Sequence, residues 1–199
     1  MIKERVGIFG GTFNPPHNGH VRSAEAFLEQ MRLDRLIIIP AYIPPHKVYD
    51  STVTCEERID MCRLAFSNIA NAEVSDIEIQ RGGKSYTYLT LQELTEENRE
   101  IFFLCGTDMI LTMDTWKNPE VIFELATICY ARRENLPENE SLIRKKCDEY
   151  RLIYGARIFE INTDSIDISS SEIRTLDGKL FDYLPENVLS YIRDKGLYQ

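Results

Sequence analysis

An open α/β sheet, mostly parallel and wound with helices on both faces, is the fold this sequence predicts, and three observations predict it. Continuous apolar runs of strand length recur along the chain, as they do in strands covered on both sides. Segments with apolar residues at helical spacing lie between them, so strand and helix alternate from end to end. The loops that follow these runs hold paired glycines and all three histidines. A doubly wound sheet binds its ligands in just that place, beyond the carboxyl ends of its strands.

The first run, Arg5 to Phe9, leads into Gly10-Gly11-Thr12-Phe13-Asn14-Pro15-Pro16-His17-Asn18-Gly19-His20. A helix follows, with Val21, Ala24, Phe27, Leu28 and Met31 at helical spacing. Leu36 to Pro40 is the second buried strand and feeds the loop Ala41 to Lys47. Thr54 and Glu57 form a capping-box signature, opening a helix that runs to about Ser67. Glu73 to Ile79 alternates polar and apolar residues and predicts an exposed or edge strand, broken at Gly82-Gly83. The hydroxyl residues Ser85 to Tyr88 cap a helix reaching about Glu97.

Ile101 to Cys105 is a further buried strand, ending in Gly106-Thr107-Asp108. Met109 to Leu125 reads as two helical pieces, because Pro119 disfavours helix in the residue before it. Thr127 to Ala131 is the next strand and runs into Arg132-Arg133. A helix from about Ser141 to Tyr154 stops at Gly155, and Arg157 to Ile161 gives the last strand. Ile168 to Arg174 is a hydroxyl-rich helix start, and Pro185 opens an amphipathic helix closed by Gly196. The whole is a Rossmann-like, doubly wound arrangement in a single domain over 1–199, with a helical part from about 168 packed on it.

The paired glycines let backbone approach a ligand closely, and the helix that begins near His17 presents unpaired N–H groups and a partial positive charge. A phosphate belongs there. His17 and His20, three residues apart, point their rings at the same place. Net charge is −9, which argues against a broad nucleic-acid or membrane surface and confines any polyanion to a local basic cluster. No apolar run approaches the roughly 18 residues that span a bilayer, and the first residues lack the apolar core of a signal peptide. The expectation is a soluble cytoplasmic protein. Five cysteines without a Cys-x-x-Cys pair read as buried reduced thiols.

The string Gly10 to His20 resembles the nucleotidyltransferase signature, whose core is His or Thr, any residue, Gly, His. Further pieces resemble the bacterial nicotinate mononucleotide adenylyltransferases: Pro44-Pro45-His46-Lys47, Ser85-Tyr86-Thr87, Gly106-x-Asp108, Trp116, Ile168 to Arg174, and Tyr191-Ile192 with Gly196-Leu197-Tyr198. Together they cover nearly the whole chain in the family's order. The resemblance implies transfer of the adenylyl group of ATP to nicotinate mononucleotide, giving deamido-NAD and pyrophosphate. It also implies Mg²⁺, held by phosphate oxygens and water rather than by protein side chains.

On that reading Gly10, Gly11, Thr12, Phe13, His17, His20, Gly106, Asp108, Ile168, Ser170, Ser171 and Arg174 belong to the ATP site. His17, His20, Lys47 and Arg174 stabilise the transferring phosphates. Thr12, Asn14, His46, Lys47, Thr87, Trp116 and Arg132 belong to the nicotinate mononucleotide site, with the pyridine ring against Trp116. The chain departs from the commoner pattern at Lys117, where an aromatic residue is usual, and at Arg133-Glu134, where Pro-Gly is usual. The expected partners are the two small-molecule substrates, without nucleic acid or membrane, and a homo-oligomer is compatible with the sequence. Other readings stay open: a related enzyme using nicotinamide mononucleotide or pantetheine phosphate, and a metal hydrolase with His17, His20 and His46 as ligands. Bland roles stay open as well, with Asp108 as a helix cap and Lys47 and Arg132 as solvated surface cations.

Overall fold

The structure, a computed structural model, describes residues 3–45, 52–131, 137–163, 169–175 and 183–198, with 137–139 described in backbone only. Six strands form its sheet: β1 (Glu4–Gly11), β2 (Arg35–Pro40), β3 (Ala72–Val74), β4 (Arg99–Gly106), β5 (Ala126–Ala131) and β6 (Ile158–Ile161). Their order is β3-β2-β1-β4-β5-β6, and every pairing is parallel. The sheet is therefore parallel throughout rather than mostly so. Its runs are apolar on both faces because both faces are covered.

The two faces carry separate cores. On one, Phe9, Phe102 and Leu104 pack with Ala24 and Phe27 of α1 (Asn18–Gln30), Met61 and Cys62 of α2 (Cys55–Ala65), and Val188, Leu189 and Ile192 of α9 (Glu186–Lys195). On the other, Val6, Ile8, Ile101, Phe103 and Ile128 pack with Leu91 of α4 (Thr87–Leu94), Ile122 and Phe123 of α6 (Pro119–Leu125), and Ile143, Cys147 and Tyr150 of α7 (Pro137–Tyr154). At Gly7 the sheet is closely approached by side chains of α1 and the turn that follows it. A Cβ there would lie 2.4 Å from Leu33 Cδ1 and 2.9 Å from the Phe27 ring.

Thr54 caps α2 as the sequence predicts: its hydroxyl accepts from the Glu57 N–H at 3.2 Å, and Glu57 accepts from the Thr54 N–H at 2.8 Å. Three expectations need correction. The strand expected over Glu73 to Ile79 is only the three residues of β3, followed by α3 (Ile77–Arg81). In the observed register Ser75 falls opposite Ile39 and its N–H still donates to the Ile38 carbonyl at 2.9 Å, but the next donor along β2 would be Pro40, which has no N–H to extend the ladder. The chain turns instead, and Ile79 and Gln80 donate to the Asp76 carbonyl, both at 2.9 Å. The segment expected as two helical pieces after Gly106 is three: α5 (Thr107–Ile110), a 3-10 turn at Met113–Thr115, and α6. The helix expected from about Ser141 begins at Pro137, a residue suited to a first helical position. The remaining helix, α8, spans Ser170–Thr175.

All five cysteines are buried free thiols. Burial pushes the Cys129 thiol up to about 12, with Arg5 opposing, and burial raises Cys62 and Cys147 as well. These thiols stay protonated and act as small apolar side chains. No helix among the described residues is long and apolar enough to cross a membrane.

Candidate active site

The strand order reverses between β1 and β4, and a crevice opens at their carboxyl ends, beyond Gly11 and Gly106. It has two lobes of similar size. Gly10, Gly11, Thr12, Pro44 and Met109 line both. The glycine turn is thus the partition between two binding spaces.

One lobe is polar. The turn after β1 is fixed from beneath by Phe13, whose φ of +47° is rare for a residue with a side chain. Its fully buried ring meets Phe9, Phe66 and His20 edge-on at centroid distances of 5.4, 5.8 and 5.0 Å. That packing holds a backbone conformation the residue would otherwise avoid. His17 caps α1, and its N–H donates to His20 Nδ1 at 3.1 Å. The two imidazole rings lie 3.7 Å apart. Accepting at Nδ1 leaves the proton of a neutral His20 on Nε2, as a donor. His20 forms part of the lobe wall, whereas His17 is buried behind it.

Ser169, Ser170, Ser171 and Arg174 close the far side of this lobe. Arg174 Nη1 donates to the Asn14 carbonyl at 2.6 Å and the Ser170 carbonyl at 3.2 Å, and Ser170 Oγ donates to the Pro15 carbonyl at 2.9 Å. The short helix α8 is therefore tied directly to the turn after β1, 155 residues away in the chain. Asn14, expected beside the acceptor, stands in this lobe instead, its Oδ1 accepting from the Tyr198 hydroxyl. Burial pushes the Tyr198 hydroxyl up from its ordinary value, opposed by the charges of Arg174 and Arg58. Gly106 lines the lobe, while Asp108 is exposed and belongs to neither wall. The helix cap at that end is Gly106, not Asp108.

The other lobe is mostly apolar. Ile8, Ile39, Leu91, Phe103, Trp116 and Ile122 shape it, with Thr87, Thr90, Ser85, Glu78 and Lys117 as its polar groups. Trp116 meets Phe103 edge-on at 6.4 Å and 79°. The turn before Trp116 is anchored from α7: Lys146 Nζ and the Tyr150 hydroxyl donate to the Asp114 carboxylate at 2.8 and 3.0 Å. Although partial burial works against it, these two hydrogen bonds hold the Asp114 carboxyl below its ordinary range. Thr87 stands at the first position of α4. A space with apolar walls, an indole and a few polar groups suits a flat heterocycle carrying polar substituents.

Of the residues predicted for the site, Gly10, Gly11, Thr12, Phe13, His20, Gly106, Ser170, Ser171, Arg174, Thr87 and Trp116 meet in this crevice. His46, Lys47, Arg132 and Ile168 lie outside the described residues. Two wall residues escaped the sequence reading. Glu78, only 7% exposed, accepts from the Thr90 hydroxyl at 2.5 Å and lies 3.7 Å from Arg81. Its place was hidden by reading α3 as strand. Arg58, 1% exposed, lies on the stripe Cys55–Arg58–Cys62 of α2. A charge at i+3 and i−4 from buried cysteines was the available signal. Among the described residues no three His, Cys, Asp or Glu side chains gather as a metal site.

The sequence pattern of the cytidylyltransferase-like family matches residues 8–176. A protein of Desulfatibacillum aliphaticivorans named "Probable nicotinate-nucleotide adenylyltransferase" is 38% identical over 98% of this chain and 99% of its own length. The chain belongs to the cytidylyltransferase-like family, among its nicotinate-nucleotide adenylyltransferases. A Listeria monocytogenes member of that name is 33% identical over 99% of this chain and 98% of its own. In three dimensions the fold matches Plasmodium falciparum nicotinic acid mononucleotide adenylyltransferase solved with NaAD, at a TM-score of 0.77 and 21% identity over 98% of this chain and 97% of that one. The same enzyme solved with APC gives a TM-score of 0.76.

Proposed function

We propose that this chain transfers the adenylyl group of ATP to nicotinate mononucleotide, forming nicotinate adenine dinucleotide and pyrophosphate in NAD biosynthesis. The observation that carries the reading is the shared partition. Two lobes of different chemistry, one lined by N–H donors, serines and guanidinium and the other by apolar groups and indole, meet at Gly10, Gly11 and Thr12. Two nucleotides bound in them bring their phosphates together there. Its relatives' names support the same acceptor.

The reaction is an in-line attack by a phosphate oxygen of the acceptor on the α-phosphorus of ATP, with pyrophosphate leaving. Both reactants are already nucleophile and electrophile, so the protein's work is positioning and charge stabilisation. N–H groups of Gly11 to Phe13 and the N-terminus of α1 face the reacting phosphate. His20 donates from Nε2 to the charge that builds on it. His17, its ring packed at a tilt against that of His20 and its N–H bonded to Nδ1, fixes that ring. Arg174, with the Ser170 and Ser171 donors, neutralises the leaving pyrophosphate. Thr87 and Trp116 hold the pyridine ring, and Lys47 adds a cation where the two nucleotides meet. A divalent cation, Mg²⁺ in our reading, neutralises phosphate charge when bound. Such a cation would ride mainly on the phosphate oxygens and water, the hard oxygen ligands it prefers. Such an enzyme works where ATP and mononucleotide are made, in the cytoplasm.

The test is ATP-dependent pyrophosphate release with nicotinate mononucleotide, nicotinamide mononucleotide and pantetheine phosphate in parallel. The highest kcat/KM is expected with nicotinate mononucleotide. Preference for either other acceptor, or no release with any, would sink the proposal.

A further inference from the structure

The phosphate lobe contains a buried charge that the mechanism above leaves unused. Arg58 is 1% exposed yet forms part of the lobe wall, near the amino end of α2, where the helix dipole disfavours a cation. Its guanidinium donates to the Thr12 carbonyl at 2.8 Å, the Tyr42 carbonyl at 3.5 Å and Cys55 Sγ at 3.3 Å. None of the three acceptors is a carboxylate. The neighbouring Glu57 carboxylate turns to the Thr54 cap instead. Arg174 in the same lobe likewise meets only carbonyls and a hydroxyl. Seven other arginines, from Arg5 to Arg151, each pair with a carboxylate. In a chain of net charge −9, counter-ions are plentiful, and the described residues place none beside either of these two guanidinium groups.

Burying a charge without a counter-ion is costly, so a site that does it is complete only when an anion arrives. We infer that Arg58 is a positioning residue for the phosphates of ATP, holding the Thr12 carbonyl and keeping a fixed positive charge beneath the Gly10–Phe13 turn. The inference rests on the function proposed above. Too buried to touch the nucleotide, Arg58 acts through the turn, by its field and by its grip on Thr12. The lobe's two guanidiniums then have separate roles, Arg174 facing the anion at its rim and Arg58 setting the potential of its floor. A purely structural staple between Thr12 and Tyr42 would need the hydrogen bonds but not the charge.

Arg58→Met keeps length without charge, and Arg58→Lys keeps charge without the fork. The probe is inorganic pyrophosphate, read as the shift it gives in the thermal unfolding midpoint and by calorimetric titration, beside steady-state KM for ATP and for nicotinate mononucleotide. A charge several ångströms from an anion at an effective dielectric near 20 changes binding by on the order of tenfold to a hundredfold. R58M is expected to lose that much pyrophosphate affinity and to raise the KM for ATP, with the acceptor KM little changed. Its ligand-free midpoint should not fall, because an uncompensated charge has been removed. R58K should recover most of the loss. Wild-type pyrophosphate affinity in R58M, or equal losses in R58M and R58K, overturns the inference. If R58M does not fold, R58K alone decides, and a pyrophosphate affinity as poor as tenfold below wild type overturns it. No pyrophosphate shift in the wild-type protein would instead remove the phosphate-lobe reading on which the inference stands.

Discussion

The two lobes of the crevice are built in different ways. The phosphate lobe begins from one contiguous stretch, Gly10 to His20, in which a strand end, a tight turn and a helix start follow one another and make their own N–H donors. The acceptor lobe draws its walls from β1, β2, α3, α4, β4, the 3-10 turn region and α6, and no segment of it makes a site alone. A lobe made locally fixes the chemistry. A lobe made by distant segments sets which molecule fits, because its shape depends on how those segments pack.

Substitutions should divide along the same line. The largest effect is expected for His20→Ala, which removes a donor to the reacting phosphate: kcat falls by roughly 10² or more with the fold retained. Turnover near normal in a folded H20A protein would break the assignment of chemistry to this lobe. Next comes Trp116→Ala, which takes away the indole wall. The KM for the pyridine nucleotide should rise roughly tenfold or more while the KM for ATP stays put. Equal changes in both constants would show that the lobes are not separable.

Gly7→Ala tests the packing shared by both lobes without touching either. Its Cβ would enter space held by Leu33 and Phe27, so the denaturation midpoint should fall by an amount matching about 1–3 kcal/mol. Substrate constants measured below the transition should stay close to wild type. The smallest effect is expected from Asp114→Asn, which loosens the anchor of the Trp116 turn. The pair is partly exposed, so it contributes on the order of 1 kcal/mol or less. Because the Asp114 carboxyl is held below its ordinary range in the folded protein, its contribution is present above about pH 4 and is lost as pH falls through the folded value. Denaturation midpoints of D114N and wild type should therefore differ at neutral pH and converge in acid. A difference that persisted in acid would mean that charge at Asp114 is not what anchors the turn.

Legibility in the sequence followed locality. β1, β2, β4 and β5 were readable because strands covered on both faces are apolar throughout, and α2 because Thr54 and Glu57 signal its start within four residues. The Glu73 to Ile79 segment misled because alternation over so few residues does not distinguish a strand end from a short helix. What ended β3 lay in the neighbouring strand, where Pro40 has no N–H to offer the ladder. Glu78 and Arg58 were missed for a related reason. A charged side chain in a sequence reads as solvated, and only the packing around it reveals that it is buried.

The sequence by itself determined the order of strand and helix, the donor-rich turn from Gly10 to His20 and the family to which the chain belongs. These rest on local patterns of apolarity, glycine and capping, which need no knowledge of distant neighbours. Only the tertiary structure decided that His20 rather than His17 faces the phosphate lobe and that Asn14 sits there with Tyr198. It also decided that Arg58 lies buried beneath the Gly10–Phe13 turn with no carboxylate among its hydrogen-bond partners. Those facts depend on which elements pack together, and a side chain's charge acquires its role from what surrounds it once water has been excluded.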